Sequence, residues 1–285
     1  MNHEHMILIK HIEDLRLLMK VYADKLFSIG FVPTMGALHP GHLSLINASR
    51  AEHPITVCSI FINPTQFNNP IDFQKYPVTI ENDIRLLETS GCDILFLPSA
   101  LEMYPLNEAV KHYELGYIEN ILEGAHRPGH FQGVSRIVDK LLNIIQPHSI
   151  YLGQKDYQQC MVIRKLIELE KHQTKVAVCE TLREPGGLAM SSRNMRLNES
   201  EKKLATEVFA TLQRMKTKLT DDEPALIEQE AIENLTGQDF HVDYVTIADA
   251  GSLQPVTRIQ PQQKLVGLLA VSINDVRLID NLVLN

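Results

Sequence analysis

Residues 27–63 read FSIGFVPTMGALHPGHLSLINASRAEHPITVCSIFIN. Two mainly apolar runs, FSIGFVPT and ITVCSIFIN, enclose the segment LSLINASRAE, in which apolar residues recur at helical spacing. A short, β-branched apolar run such as ITVCSIFIN is typical of a strand that is buried on both faces of a parallel sheet. The stretch therefore predicts a strand–helix–strand unit with a turn, PTMGALHPGH, at the end of its first strand.

The same alternation of patterns continues on both sides of this unit. Helical periodicity in IEDLRLLMKVY, ENDIRLLETSG, VSRIVDKLLNIIQ and QQCMVIRKLIELE alternates with the strand-like runs CDILFLPS, SIYLGQKD and KVAVCETL. This predicts an α/β fold with a Rossmann-like, doubly wound parallel sheet. Further on, two helical segments precede three strand-like ones, which indicates a smaller α+β domain. We place the two domains at residues 1–183 and 184–285.

Composition limits the classes of function. The chain has 285 residues, 44% of them hydrophobic and 22% charged, with a formal net charge of −8. A nucleic-acid binder needs a basic surface, and none is visible, so we expect no nucleic-acid partner. No apolar run approaches the ~20 residues that span a bilayer, and the first residues lack the features of a signal peptide. With its four widely spaced cysteines, the chain is expected to be cytoplasmic, without a membrane partner.

His39 and His42 lie where the first strand of the opening stretch turns into a helix. They could be a metal pair, a clamp for phosphate, or simply caps of the turn. Ligands of open α/β sheets bind beyond the carboxyl ends of strands, and a helix N-terminus favours an anion. Gly36 and Gly41 allow backbone to approach such a ligand closely. The position therefore favours phosphate, and zinc is weaker because no third ligand lies nearby in the sequence.

Four other polar segments lie either after a strand-like run or before a helical run. They are IFINPTQF (60–67), EGAHRPGHFQGV (123–134), YLGQKDYQQ (151–159) and GLAMSSRN (187–194). Each has a structural alternative: Lys155 and Asp156 could form an exposed ion pair, and Ser191 could cap a helix. Asn63 and Gln66 can instead pair their amides with a small polar substrate. It is the joint occurrence of these segments that favours a functional site.

The H-x-G-H pattern resembles the nucleotide-binding signature of the nucleotidylyltransferase superfamily, which includes class I aminoacyl-tRNA synthetases. Together with INPTQF, RPGHFQGV, GQKDYQQ and SSRN, it resembles the pantothenate synthetase (pantoate–β-alanine ligase) family from about Phe31 to Asn194. The resemblance implies that ATP adenylates pantoate with release of pyrophosphate. β-Alanine then attacks the acyl adenylate and AMP leaves. It also implies Mg²⁺ as the companion of ATP, and a homodimer.

The resemblance assigns the site residues. It implies that His42 is the proton donor, with His39, Lys155, Ser191, Ser192 and Arg193 as further catalytic groups. It implies nucleotide binding by Met35, Gly36, Ala37, Leu38, His39, Pro40, Gly41, His42, Gly153, Gln154, Lys155, Asp156, Leu182, Met190, Ser191, Ser192 and Arg193. Pantoate contacts are implied for Gln66 and Gln159, and we add Asn63, Arg127, His130 and Gln132 as substrate-binding candidates. The sequence leaves open whether His42 or His39 moves a proton, or whether both only donate hydrogen bonds.

Two further expectations concern the residue that binds Mg²⁺ and the role of the smaller domain. Some relatives have consecutive acidic residues where this chain has Glu81, Asn82 and Asp83; Asn82 interrupts the run, and we retain Asp83 as the expected Mg²⁺ ligand. The ion could also be held chiefly by the nucleotide. The smaller domain is expected to act as a lid that keeps water from the acyl adenylate.

Three other functions stay open at this point. Another nucleotidylyltransferase would share the histidine turn but has no evident need for both Gln66 and Gln159. A tRNA-dependent synthetase would require a basic RNA-binding face, which the sequence does not offer. A nucleotide-binding regulator without catalytic activity would not need the full set of polar site residues.

Overall fold

The computed structural model describes residues 5–106, 108–219 and 223–285. The described residues divide into two compact units. One contains the residues up to Gly153 together with Gln159–Glu180, and the other contains Gln154–Gln158 together with the residues from Thr181 to Asn285. No helix in these ranges combines the length and apolar character that a membrane span requires. The domain division at residues 183 and 184 stays a prediction.

The first unit is built on a parallel sheet, in which six strands fall within the described ranges. These strands are β1 (Ile7–Ile9), β2 (Ile29–Thr34), β3 (Ile55–Ile60), β4 (Ile94–Phe96), β5 (Ser149–Gly153) and β6 (Lys175–Cys179). Their order across the sheet is β1-β4-β3-β2-β5-β6. The chain runs outward from β2 in one direction and then returns to add β5 and β6 on the other side. The predicted Rossmann-like sheet is therefore confirmed, and its switch point lies between β2 and β5.

Helices cover both faces of this sheet. The helices between and around these strands are α1 (Ile12–Asp24), α2 (Pro40–Glu52), α3 (Pro70–Gln74), α4 (Ile80–Thr89), α5 (Ala100–Met103), α6 (Glu123–His126), α7 (His130–Ile145) and α8 (Tyr157–Glu170). Successive strand residues point to opposite faces: Phe31 joins the apolar cluster beneath α1, α7 and α8, whereas Val32 joins the cluster beneath α2 and α4. Burial on both faces explains why these strands read as continuous apolar runs.

The second unit is the predicted α+β arrangement. Helices α9 (Glu199–Lys218) and α10 (Pro224–Thr236) precede the antiparallel strands β7 (His241–Asp249), β8 (Leu265–Ile273) and β9 (Val276–Val283), which pair in that order. Leu212 of α9 and Leu235 of α10 share an apolar cluster with Ile247 and Leu269 of the sheet. This separate core means that the second unit buries its own apolar surface.

Candidate active site

The histidine turn follows β2 at the switch point of the sheet. Gly36 and Ala37 both have positive φ angles, 84° and 50°, and α2 begins at Pro40 with His39 as its N-cap residue. The backbone N–H of His39 donates to Nδ1 of His42 at 3.3 Å, and the two rings lie 4.0 Å apart. Because Nδ1 accepts this bond, a neutral His42 carries its proton on Nε2 and can donate from there. The pair thus caps the helix and also supplies a donor.

The carboxylate of Asp83, in α4, hydrogen-bonds to the backbone of this turn. The side chain is fully buried. Its Oδ2 accepts from the N–H of Ala37 at 2.9 Å, and its Oδ1 accepts from the N–H of Leu38 at 2.8 Å and from the hydroxyl of Thr79 at 3.0 Å. A Cβ at Gly36 would lie 3.1 Å from Oδ2, so the carboxylate and the positive-φ turn fit closely. One carboxylate therefore satisfies two successive backbone donors.

The same geometry bears on the expected Mg²⁺ ligand. Both oxygens of Asp83 already accept hydrogen bonds from protein groups, while Glu81 and Asn82 are exposed. Across residues 5–106, 108–219 and 223–285, no group of three or more His, Cys, Asp or Glu is arranged to hold a metal ion. Mg²⁺ thus finds no preformed set of such ligands in the described ranges, and its expected contact with Asp83 stays a prediction.

Asn63 caps the 3₁₀ turn Pro64–Gln66 that follows β3, and Gln66 is the last residue of that turn. Asn63 is 1% exposed; its Nδ2 donates to the carbonyl of Gly133 at 3.0 Å and to Oε1 of Gln66 at 3.2 Å. Nε2 of Gln66 in turn lies 3.2 Å from Sδ of Met35. The structure therefore brings the expected pantoate residue Gln66 against the expected nucleotide residue Met35. The amide of Asn63 is thus bonded to protein groups, one of which is the side chain of Gln66.

The segment before α7 completes this cluster. Nδ1 of the buried His130 donates to the carbonyl of Gln66 at 2.8 Å, which leaves its Nε2 to accept from Nη1 of Arg127 at 3.3 Å. Gly133, one turn into α7, packs directly on the Pro64–Gln66 turn, because a Cβ there would lie 2.1 Å from the carbonyl oxygen of Thr65. Arg127 and His130 thus join Gln66 in one cluster.

Gln132 lies outside that cluster. Its Oε1 accepts from the N–H of Tyr113 at 3.0 Å, and its Nε2 donates to the carbonyl of Tyr113 at 2.8 Å. Both ends of the amide are therefore engaged with one backbone residue. Its assignment to substrate stays a prediction, and its contacts are those of a residue that fixes the chain around Tyr113.

Tyr104 is a member of the cluster that the sequence did not indicate. Its hydroxyl donates to Oδ1 of Asn63 at 2.8 Å. Burial raises the pKa of Tyr104, so the hydroxyl remains a donor at neutral pH. Its contact with Asn63 spans 41 positions of the chain, and no local spacing in the sequence points to it.

The remaining predicted residues, apart from Gly153 and Gln159, lie in the second unit. Lys155 and Asp156 lie on the 3₁₀ turn Gln154–Asp156, with Nζ 3.5 Å from Oδ1. Gly153, which ends β5, and the half-buried Gln159 belong to the first unit. The adjacent Gln158, to which the resemblance assigns no role, is the more buried of the two glutamines, at 3% exposure.

A backbone hairpin unites the other predicted residues of the second unit. The N–H of Met190 donates to the carbonyl of Leu182 at 3.0 Å, and Arg183 and Ala189 form a bridge. Oγ of Ser191 then accepts from the N–H of Arg193 at 3.3 Å and starts the 3₁₀ turn Ser192–Arg196. The structure therefore brings Leu182 and Met190–Arg193 together, and Ser191 is the cap that its alternative interpretation described.

Comparisons with known proteins agree in pointing to one family. The sequence profile of the family described as pantoate-beta-alanine ligase matches residues 7–283. The chain is 45% identical to a pantothenate synthetase of Cytophaga hutchinsonii over 98% of this chain and 99% of the relative. A crystal structure of pantothenate synthetase from Thermus thermophilus superposes with a TM-score of 0.91 at 36% identity, covering 98% of this chain and 99% of that one.

One solved structure is described as a complex with ligands. It is pantoate-beta-alanine ligase from Francisella tularensis, complexed with beta-gamma ATP and beta-alanine. The TM-score is 0.84 at 36% identity, and the match covers 98% of each chain. The similarity thus extends over both units of this chain, including the C-terminal part.

Proposed function

The chain belongs to the pantoate–β-alanine ligase family, and we propose that it condenses pantoate with β-alanine at the expense of ATP to form pantothenate. The observation that carries this assignment to particular residues is the contact of Gln66 with Met35. It sets a residue expected to bind pantoate beside the turn expected to bind the nucleotide. A reaction between a carboxylate and a phosphate needs that proximity.

The reaction has two steps. In the first, a pantoate carboxylate oxygen attacks the α-phosphorus of ATP, the bond to the bridging oxygen breaks, and pyrophosphate leaves. In the second, the amine of β-alanine attacks the acyl carbonyl, loses a proton, and expels AMP. The adenylate is needed because a carboxylate is a poor electrophile, whereas its mixed anhydride with AMP is a good one.

The histidine turn serves the first step. Negative charge grows on phosphoryl oxygens as pantoate attacks, and donors that are already oriented stabilise it most. Nε2–H of His42 is such a donor, since its Nδ1 is occupied by the N–H of His39. The N-terminus of α2 adds a partial positive charge at the same place. His39 is proposed as the partner of His42 on the phosphates.

Residues of the second unit are proposed to bind the rest of the nucleotide. Lys155 pairs with a phosphate, Asp156 lies toward the ribose, and the backbone of Leu182 contacts adenine. The segment Met190–Arg193 provides two hydroxyls and a guanidinium for the phosphates. Gln159, Arg127 and His130 are proposed on the pantoate side with Gln66. Gly153 would leave room for the ligand, because a Cβ built there meets no atom within 4 Å.

Three finer proposals rest on the resemblance to the family. Mg²⁺ accompanies ATP and neutralises phosphate charge, held chiefly by the nucleotide itself. The enzyme works as a homodimer, and it works in the cytoplasm. Sedimentation equilibrium tests the dimer, and omission of Mg²⁺ from the assay tests the ion.

The function is tested by supplying ATP, Mg²⁺, pantoate and β-alanine and measuring products. We expect equal amounts of AMP and pantothenate. Without β-alanine, exchange of labelled pyrophosphate into ATP should require pantoate. An exchange rate that does not depend on pantoate would eliminate the adenylate mechanism. A product that retains AMP would instead favour another nucleotidylyltransferase.

Replacing Gln66 with alanine should mainly weaken pantoate binding. The side-chain amide contacts Asn63 and Met35, so its loss removes a polar group from the proposed pantoate pocket, while the backbone carbonyl that His130 binds is retained. We expect the KM for pantoate to rise by about tenfold, the scale of one or two lost hydrogen bonds, while the KM for ATP changes by less than about twofold. Unaltered pantoate affinity would refute this placement.

A further inference from the structure

Asn281 is a buried side chain for which the sequence offered no role. It lies near the end of β9 and is 2% exposed. Its Nδ2 donates to the carbonyl of Gln154 and to the carbonyl of Lys155, both at 2.9 Å. Its Oδ1 faces Nε2 of Gln154 at 3.3 Å. One amide thus binds two consecutive peptide units of the turn that carries Lys155, across 127 positions of the chain.

Asp280, the residue before Asn281, is itself held in place by Arg183. Its carboxylate is 3% exposed and receives a two-pronged ion pair from Arg183, at 2.5 Å from Nη1 and 3.0 Å from Nη2. Oδ1 also accepts the backbone N–H of Asn281 at 2.8 Å. The guanidinium lies 3.7 Å above the ring of Phe209. These contacts hold this part of β9 rigidly. Asp280 and Asn281 together form a clamp on the turn Gln154–Asp156.

Arg183 connects the clamp to the hairpin of Leu182 and Met190. Its Nη1 donates to the carbonyl of Gly187 at 3.1 Å, and its Nη2 reaches the carbonyl of Asn281 at 3.4 Å. Within the second unit, Asp280 and Asn281 therefore link two segments that are both proposed to bind the nucleotide. The linkage combines the Arg183–Asp280 ion pair with hydrogen bonds to backbone carbonyls of each segment, so it fixes where each segment lies.

Lys155 has a reason to depend on such a clamp. A lysine side chain has many rotamers and loses entropy when its ammonium is fixed on a phosphate. Its contact with Asp156, at 3.5 Å, is too long for a strong hydrogen bond. The direction of the ammonium is therefore set largely by the backbone from which it extends, and Asn281 holds that backbone.

We propose that Asn281 is a positioning residue for the nucleotide, which fixes the turn Gln154–Asp156 so that Lys155 presents its ammonium to a phosphate of ATP. This inference rests on the proposed function of Lys155. It adds a residue of the C-terminal strand to the set that determines ATP affinity, and that residue acts through the turn of Lys155.

The test is a double-mutant cycle between Asn281→Ala and Lys155→Ala, measured as the KM for ATP in pantoate-dependent pyrophosphate exchange. Asn281→Ala alone should raise that KM by about tenfold, the scale of two lost hydrogen bonds to backbone, and change the KM for pantoate by less than about twofold. In the Lys155→Ala background the same substitution should change it by less than about twofold, because there is no ammonium left to position.

Two further variants keep the result interpretable. Asn281→Leu keeps about the size of the side chain and removes both N–H donors without adding a charge, so it should reproduce the effect and replaces Asn281→Ala if that variant folds poorly. Asn285→Ala is the control, because that amide also bridges backbone groups of the same unit, the carbonyl of Gln263 and the N–H of Leu265, away from the turn. It should leave the KM for ATP unchanged.

Independent effects of Asn281→Ala and Lys155→Ala would overturn the proposal, as would an Asn281→Ala enzyme whose KM values for ATP and pantoate rise equally. An unchanged KM for ATP in Lys155→Ala would overturn it too. Formation of pantothenate by the unaltered enzyme is measured in the same series, so failure of the inference is distinguishable from failure of the proposed function.

Discussion

Replacing His42 with alanine should lower the rate of pantoate adenylation by about 10²-fold or more, the scale of losing one preorganised donor to a developing oxyanion. The structure gives the physical reason. Nδ1 of His42 accepts the N–H of His39, so the proton of the neutral ring lies on Nε2, the atom from which His42 donates. The measurement is the single-turnover rate of adenylate formation with enzyme in excess over pantoate.

The capping role of His42 has to be separated from its role in the reaction. Asparagine places a side-chain oxygen near the position of Nδ1, so His42→Asn can retain the bond from the N–H of His39. Glutamine reaches further and can replace the donor at Nε2. We therefore expect His42→Asn to melt close to the unaltered enzyme yet remain slow, and His42→Gln to recover part of the rate. An unchanged single-turnover rate in His42→Ala would remove this residue from the mechanism.

The fold could be predicted from the sequence because its signals are local. Strands β2 and β3 are short apolar runs, α2 between them has helical spacing, and a parallel sheet follows from their alternation. The histidine turn was also local, since His39 and His42 lie three residues apart. The strand order was not accessible in this way, because it depends on pairing between segments that are distant in sequence.

The supporting contacts of the site could not be predicted for the same reason, even for Asp83, which the sequence puts forward only as a Mg²⁺ ligand. Asn281 contacts the turn of Lys155 across 126 positions, and Asp83 contacts Leu38 across 45. Asp83 nevertheless left a signal in the sequence. It lies four residues before Leu87, so both occupy the same face of α4, and both are fully buried. A carboxylate on the apolar stripe of a helix implies buried partners, here the N–H groups of the histidine turn.

Replacing Asp83 with asparagine should lower both stability and activity, because it keeps only one of the two oxygen acceptors. Asparagine has one oxygen for the N–H groups of Ala37 and Leu38, and its own NH₂ group would then face the other donor. A buried donor left without an acceptor costs about 1–3 kcal/mol, so we expect the free energy of unfolding in urea to fall by about that much. Adenylation should slow by about tenfold or more, because the turn that carries His42 loses its anchor.

The same variant separates this anchoring role from direct binding of Mg²⁺. If Asp83 coordinates the ion, its loss should raise the Mg²⁺ concentration for half-maximal exchange activity, and excess Mg²⁺ should restore the rate. If it anchors the turn, that concentration should stay within about twofold and excess Mg²⁺ should not help. Glu81→Gln is the matched control, since this carboxylate lies in the same first turn of α4 but is exposed. Asp83→Asn with unchanged unfolding free energy and a tenfold shift in Mg²⁺ dependence would assign the residue to the metal, whereas a loss of unfolding free energy with unchanged Mg²⁺ dependence would assign it to the two backbone N–H groups of the turn.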